Sequence, residues 1–281
     1  MLPSATSMLR PATRQGAWAS PGALGAHDHV RAAGCVLAIV GVSLAAAALL
    51  VAAQALRALA GRPGLLLADR ATRLWAVLIA RVIGMRVAVH GVVPPAGSLL
   101  VANHLGYIDV VALWCATNGV FVAKAELASW PVVGLLGRAA RTIFIDRGRK
   151  RDIPRVLSEM ARRLRSGETV IVFPEATSSA GDGVLPFRSP LFQASVRSGV
   201  PVTCASLAYR TGPDAPRADE AVCWWGDMTF VDHLYRLLRL PDFDATLRFT
   251  PARIGAGDRK QRAREAREEV TACFTPTARR P

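Results

Sequence analysis

From Ala33 to Ala53 the chain carries no charged side chain, and this run (GCVLAIVGVSLAAAALLVAA after Ala33), coiled as a helix, matches the roughly 30 Å hydrocarbon thickness of a bilayer. It outlasts the about 7–15 apolar residues of a secretory leader and starts well inside the chain, so a transmembrane helix over 33–56 is expected. The Ala58-Leu59-Ala60 triplet is the one feature a leader would share. A hydrophobic fraction of 51% and a mean hydropathy of +0.26 fit a protein that meets lipid. Residues 1–32, rich in Pro, Gly, Ala and Ser, lack the apolar periodicity that would order them and are read as a disordered tail. Arg57, Arg62, Arg70 and Arg73 beyond the run outweigh Arg10, Arg14 and Arg31 before it, which predicts a single-pass protein whose bulk lies on the cytoplasmic face.

A second apolar stretch, Leu74 to Val89, is broken by Arg81 and Arg86 and opens near Trp75. Residues 57–85 are therefore expected to form a helical segment at the membrane interface, running into a short strand at Arg86–His90; packing of the same face on the remaining domain is the alternative. The net charge of +14 draws anionic partners: nucleic acid, an anionic bilayer or phosphorylated substrates. The basic residues are scattered and no zinc-ligand or RNA-binding signature accompanies them, so nucleic acid is not the expected partner. Neither the five dispersed cysteines nor the five histidines has ligand spacing, and no disulfide framework or metal site is expected.

Beyond Pro94 short apolar runs alternate with helical stretches, which predicts an α/β domain over 86–281: a mixed sheet flanked by helices. Strands are expected at Leu99–Ala102, Val120–Ala123, Thr142–Ile145, Thr169–Phe173, Val202–Leu207, Val222–Trp225 and Leu247–Thr250. Helices are expected at Asp109–Cys115, Trp130–Gly137, Asp152–Ser166, Pro190–Ser198 and Arg259–Cys273.

Asn103-His104-Leu105-Gly106-Tyr107-Ile108-Asp109 sits where a strand ends and a helix begins, the place where α/β folds concentrate their chemistry. A turn there could bring the Asp109 carboxylate to the His104 imidazole, fixing its tautomer and stabilising the imidazolium formed when His104 accepts a hydroxyl proton. Alone, a His and an Asp at this spacing are common; an Asp at a helix start is most often a cap. Three further blocks give it context, each forming or following an expected strand: Phe144-Ile145-Asp146-Arg147-Gly148-Arg149, Phe173-Pro174-Glu175-Ala176-Thr177-Ser178-Ser179 and Val200-Pro201-Val202.

In these four blocks the chain resembles the lysophospholipid acyltransferase family, typified by 1-acylglycerol-3-phosphate acyltransferase, whose NHxxxxD, strand-D-R, FPEGT and V-P-V motifs occur in the same order; the likeness runs from about Val87 to Thr250. The resemblance implies that His104 and Asp109 are the catalytic pair and that Asn103, Arg147, Glu175 and Thr177 contact or shape the acceptor site. A guanidinium at 147 suits phosphate or carboxylate on chemical grounds as well. Lys124-Ala125-Glu126 also resembles the family, with Lys124 orienting a phosphate or pairing with a carboxylate.

Two departures matter. Ala176 stands where the family has glycine, and a methyl there disfavours φ > 0, so the turn is expected to differ; Ser178 stands where a basic residue is expected. The segments Gly181–Ser189 and Trp225–Met228 look similar to the branch that acylates lyso-ornithine lipid. The implied activity is acyl transfer from acyl-CoA or acyl carrier protein, a co-substrate rather than a cofactor, to a lysolipid, first 1-acyl-sn-glycerol-3-phosphate and alternatively lyso-ornithine lipid. A serine hydrolase lacks its G-x-S-x-G elbow here, and a noncatalytic membrane lipid-binding protein is the reading from another class.

Overall fold

The computed structural model describes residues 26–146, 148–149 and 151–277. In chain order its elements are α1 (Ala26–Ala60), α2 (Arg62–Val82), β1 (Met85–His90), β2 (Leu99–Ala102), α3 (Ile108–Ala116), β3 (Val120–Lys124), α4 (Val133–Ala139), β4 (Ile143–Ile145), α5 (Asp152–Arg165), β5 (Val170–Val172), α6 (Gln193–Ser198), β6 (Val202–Arg210), α7 (Ala218–Ala221), α8 (Phe230–Arg239), β7 (Phe243–Ile254) and α9 (Arg259–Cys273). The strands form one seven-stranded sheet ordered β1-β7-β6-β2-β5-β3-β4, parallel throughout except where β6 meets β7. It is the mixed sheet flanked by helices that the alternation of apolar runs predicts.

Strands β2 and β5 (Leu-Leu-Val-Ala and Val-Ile-Val) are buried at every residue because helices cover both faces of the sheet, which explains why they lack polar alternation. Successive side chains still point to opposite faces. Leu100 and Ala102 join the core beneath α1, α2, α3 and α8, whereas Leu99 and Val101 join the one beneath α5, α6 and α9. Strands β2, β3, β4, β5 and β6 run in one direction, so the segments following them emerge along one edge.

The N-terminal helices form an antiparallel pair. Cys35 Sγ donates to Val82 O at 3.4 Å and Trp75 Nε1 to Ser43 Oγ at 3.0 Å, while at the hairpin tip Gly64 lies so close to α1 that a Cβ would stand 2.2 Å from Arg57 N. Ala68, Ala71, Ala76 and Ala80 of α2 are all buried in the core. Leu66, Arg70, Arg73, Leu74 and Arg81 remain exposed on the other side of α2. Helix α1 is the one described helix long and apolar enough to cross a membrane, over His29–Ala60. Its outer face presents Val30, Leu37, Leu44 and Val51 at heptad spacing, Leu37 being 74% exposed.

Both ends of α1 bond to the sheet domain. At one end Arg31 donates to the carbonyls of Leu238 (3.2 Å), Leu240 (2.7 Å) and Pro241 (3.1 Å), satisfying groups left open where α8 ends. At the other, Gln54 reaches Ala139 O at 3.4 Å and Arg57 pairs at 3.3 Å with Glu168, a buried carboxylate also held by Arg141 at 2.8 Å and Arg163 at 3.4 Å. Burial alone would raise Glu168, but these guanidinium groups hold it below the usual carboxylate range.

Several expectations need correction. The expected tail over 1–32 overlaps α1, which begins at Ala26 and whose Arg31 is tied down as described; residues 1–25 lie outside the described residues. The helical segment expected over 57–85 begins only at Arg62, after α1 has run on to Ala60, and stops at Val82, where Gly84 turns the chain into β1 with φ of 73°. Val222–Trp225 is a loop, not a strand: the Cys223 N–H bonds Ala218 O and the Trp224 N–H bonds Leu105 O, so its backbone serves α7 and the His104 turn instead of a ladder. The expected helix at Trp130–Gly137 begins only at Val133, preceded by a 3₁₀ turn at Ala125–Ser129, and α8 was not foreseen.

Candidate active site

Strand β2 ends at Ala102, and the next side chain, Asn103, is buried. Its Oδ1 accepts from Leu207 N at 2.7 Å and its Nδ2 donates to Leu207 O at 3.0 Å, stitching the loop to β6. This corrects the expectation of a substrate contact, because the amide is spent on backbone.

The chain then turns into α3, whose first turn holds Asp109. That carboxylate is fully buried, and four donors satisfy it: Oδ2 accepts from Leu105 N (2.7 Å), Gly106 N (3.1 Å) and His104 Nδ1 (2.8 Å), and Oδ1 accepts from Tyr209 OH (2.7 Å). These hydrogen bonds offset the cost of burying so polar a group. Since Asp109 offers only acceptors, Nδ1 carries the imidazole proton and Nε2 is left as the acceptor. The His104 side chain is 24% exposed, and its ring stacks on Phe173 with centroids 4.2 Å apart and planes 12° off parallel. The sequence's pairing of His104 with Asp109 is thus present in space.

Two segments clamp this turn. Ser179 N donates to His104 O at 3.0 Å, Trp224 N donates to Leu105 O at 2.8 Å, and the Ser178 hydroxyl donates to Trp224 O. Gly106 permits the fit, since a Cβ there would come within 3.0 Å of Trp224 N. Beside Trp224 the half-buried rings of Tyr107, Phe230 and Trp130 pack edge to face.

Glu175 follows β5 and is buried. Oε1 accepts from Leu185 N at 3.3 Å, while Oε2 has no hydrogen-bond partner among the described residues. Burial, with a smaller push from Asp109, raises this carboxyl to about 8 against the opposing N–H groups of Leu185 and His104. Ala176 takes φ of 63°, the left-handed conformation natural to glycine, and its N–H bonds Phe173 O at 3.2 Å. The expectation of a different turn is therefore corrected: the turn keeps the glycine conformation and the methyl bears the strain.

The remaining expected contacts fall differently. Thr177 is exposed beside the turn, and Lys124, also exposed, pairs with Glu126 on the next residue but one. Arg147 lies outside the described residues. Among the described residues no group of three or more His, Cys, Asp or Glu side chains is placed to hold a metal ion. Tyr209 was missed because the expected strand stopped at Leu207, and nothing local in sequence links it to a carboxylate a hundred positions earlier. Phe173 was visible only as part of a motif.

The family model described as Acyltransferase matches residues 86–208, which contain the His104 turn, the Glu175 block and most of the sheet. A lyso-ornithine lipid O-acyltransferase of Pseudomonas aeruginosa is 31% identical over 215 residues, 75% of this chain and 81% of that protein. The chain belongs to the acyltransferase family. A 1-acyl-sn-glycerol-3-phosphate acyltransferase of Neisseria meningitidis serogroup B shares 37% identity with this family member over 156 residues, 53% of the chain and 61% of that protein, so the likeness spans less than two thirds of that relative. The crystal structure of the 1-acyl-sn-glycerophosphate acyltransferase from Thermotoga maritima superposes with a TM-score of 0.65 at 19% identity, covering 88% of this chain and 95% of that one. It shares the acyltransferase fold.

Proposed function

We propose that this acyltransferase-family protein moves a fatty acyl group from a thioester, acyl-CoA or acyl carrier protein, to the hydroxyl of a lysolipid, 1-acyl-sn-glycerol-3-phosphate being the first acceptor considered. The observation that carries the reading is the His104–Asp109 contact at 2.8 Å, with the carboxylate fully buried and the ring partly open. Nε2 accepts the hydroxyl proton as the oxygen attacks the thioester carbonyl, and Asp109 stabilises the imidazolium. The tetrahedral intermediate collapses by breaking the C–S bond; the thiolate leaves and takes the proton from the imidazolium. Arg147, Thr177 and Lys124 are proposed to serve the acceptor's headgroup, with Glu175 shaping that site.

Thiol release by purified protein, with and without lysolipid, tests the reaction. Lysolipid-dependent release that falls by at least about 10²-fold in His104→Ala is the expected result. Release without lysolipid would point to a hydrolase, absence of release to a noncatalytic lipid-binding protein, and undiminished release by the folded variant would refute the mechanism.

Lyso-ornithine lipid is the second acceptor. Ser178, where the family's basic residue is expected, spends its hydroxyl on Trp224 O, and the P. aeruginosa relative named for that lipid is matched over more of its length than the Neisseria protein. Accumulation of lyso-ornithine lipid in cells lacking the protein favours this acceptor; accumulation of the lysophosphatidic acid favours the first.

For localisation we propose membrane attachment through the α1–α2 hairpin, with the sheet domain on the cytoplasmic face where thioester donors reside. The single crossing expected from the apolar run gives way here to a helix lying along one leaflet. A bilayer-crossing helix carries one end away from a domain on a single face, whereas Arg31 and Arg57, roughly 39 Å apart along α1, both bond to the same domain.

A further inference from the structure

Asp109 treats its two oxygens unequally: Oδ2 serves His104 and two backbone N–H groups, whereas the donor to Oδ1 is Tyr209. The outer torsion of an aspartate is broad and two-fold, so something must distinguish the oxygens if one is to stay aligned with an imidazole. Tyr209 lies near the end of β6, which is parallel to β2 with Ala205 beside Ala102, so its side chain reaches the edge where the His104 turn emerges. The residue is rigidly seated. It is 3% exposed, its ring meets Phe243 edge-on at 6.1 Å, its N–H donates to Thr277 Oγ1 at 3.2 Å, and it sits opposite Ala245 on β7. Burial and the neighbouring Asp109 carboxylate push its phenol well above the ordinary value, so it remains a neutral donor at every working pH.

We propose that Tyr209 is a positioning residue for acyl transfer, one that acts through Asp109 and never touches substrate: its hydroxyl fixes the rotation of the carboxylate and tempers the negative charge presented to His104. The inference rests on the acyl-transfer reading above. Its sign follows from electrostatics. The O–H dipole points its positive end at the carboxylate, which weakens the hold of Asp109 on the imidazolium. Without that dipole the imidazolium is favoured, and the neutral base is reached only at higher pH.

The test is kinetic and uses the full chain. Tyr209→Phe keeps the ring and removes the hydroxyl; the expected result is kcat lower by about tenfold, KM for both substrates little changed, and the acidic limb of the kcat–pH profile moved up by roughly half a unit. Replacing Tyr209 by 3-fluorotyrosine, a stronger donor of nearly the same shape, moves that limb down. If Tyr209→Phe fails to fold, the fluorotyrosine comparison decides alone. A limb that stays put in each variant that folds, in a protein whose transfer still needs His104, overturns the assignment even if thermal stability drops. Absence of any His104-dependent transfer in the wild type overturns the acyl-transfer reading and this inference with it.

Discussion

The amide of Asn103 grips Leu207 from both sides, accepting from its N–H at 2.7 Å and donating to its carbonyl at 3.0 Å, so the residue before His104 is bolted to the neighbouring strand. Asn103→Ala leaves that buried peptide group without its partners. A loss of about 2 kcal/mol in stability is expected, with little change in acceptor KM for the protein that remains folded. Denaturation of the purified variant alongside its kinetics checks this; a raised KM at unchanged stability would restore the substrate-contact reading.

Glu175 makes stability depend on pH. Its carboxyl is raised from 4.5 to about 8 in the folded protein, so the folded form keeps a proton that the unfolded chain releases. That contribution is fully present below about pH 4.5 and is lost as pH rises through about 8, with a slope of up to about 1.4 kcal/mol per unit between them. Thermal unfolding of Glu175→Gln across this range is expected to lack the slope. An unchanged profile would mean that Glu175 is ionised when folded.

Ala176→Gly should stabilise the protein. The φ of 63° costs an alanine about 1–2 kcal/mol, partly offset by the larger chain entropy a glycine loses on folding, which leaves a gain of about 0.5–1 kcal/mol. Chemical denaturation of both proteins in the same detergent measures it. A loss of stability would show that the methyl makes compensating contacts.

The outer stripe of α1 gives a test of attachment. Leu37→Glu combined with Leu44→Glu places charges on its exposed apolar face without touching the contacts of Arg31 or Arg57. Carboxylates on this face oppose its burial among the acyl chains, so the doubly substituted protein should shift from the membrane pellet to the supernatant while staying folded. Retention in the pellet would sink the proposal that this face meets lipid.

Much of the fold was legible because burial on both sides of a parallel sheet leaves uninterrupted apolar runs, and β2, β3 and β5 lie close to where such runs predict them. Val222–Trp225 misled for the same reason. An apolar run says that a segment is buried, but which backbone groups it bonds is settled by its neighbours, here Ala218 and Leu105. The His104–Asp109 pair could be read because its members are five residues apart across one turn.

Sequence by itself determined the family, the pairing of His104 with Asp109 and the apolar character of α1, all properties of local spacing and composition. Tertiary structure alone decided that Tyr209 completes the Asp109 site, that Asn103 serves the sheet, and that both ends of α1 rest on the domain. Each of these joins residues about a hundred or more positions apart, and such contacts are selected by the packing of strands and helices, which no short-range pattern encodes.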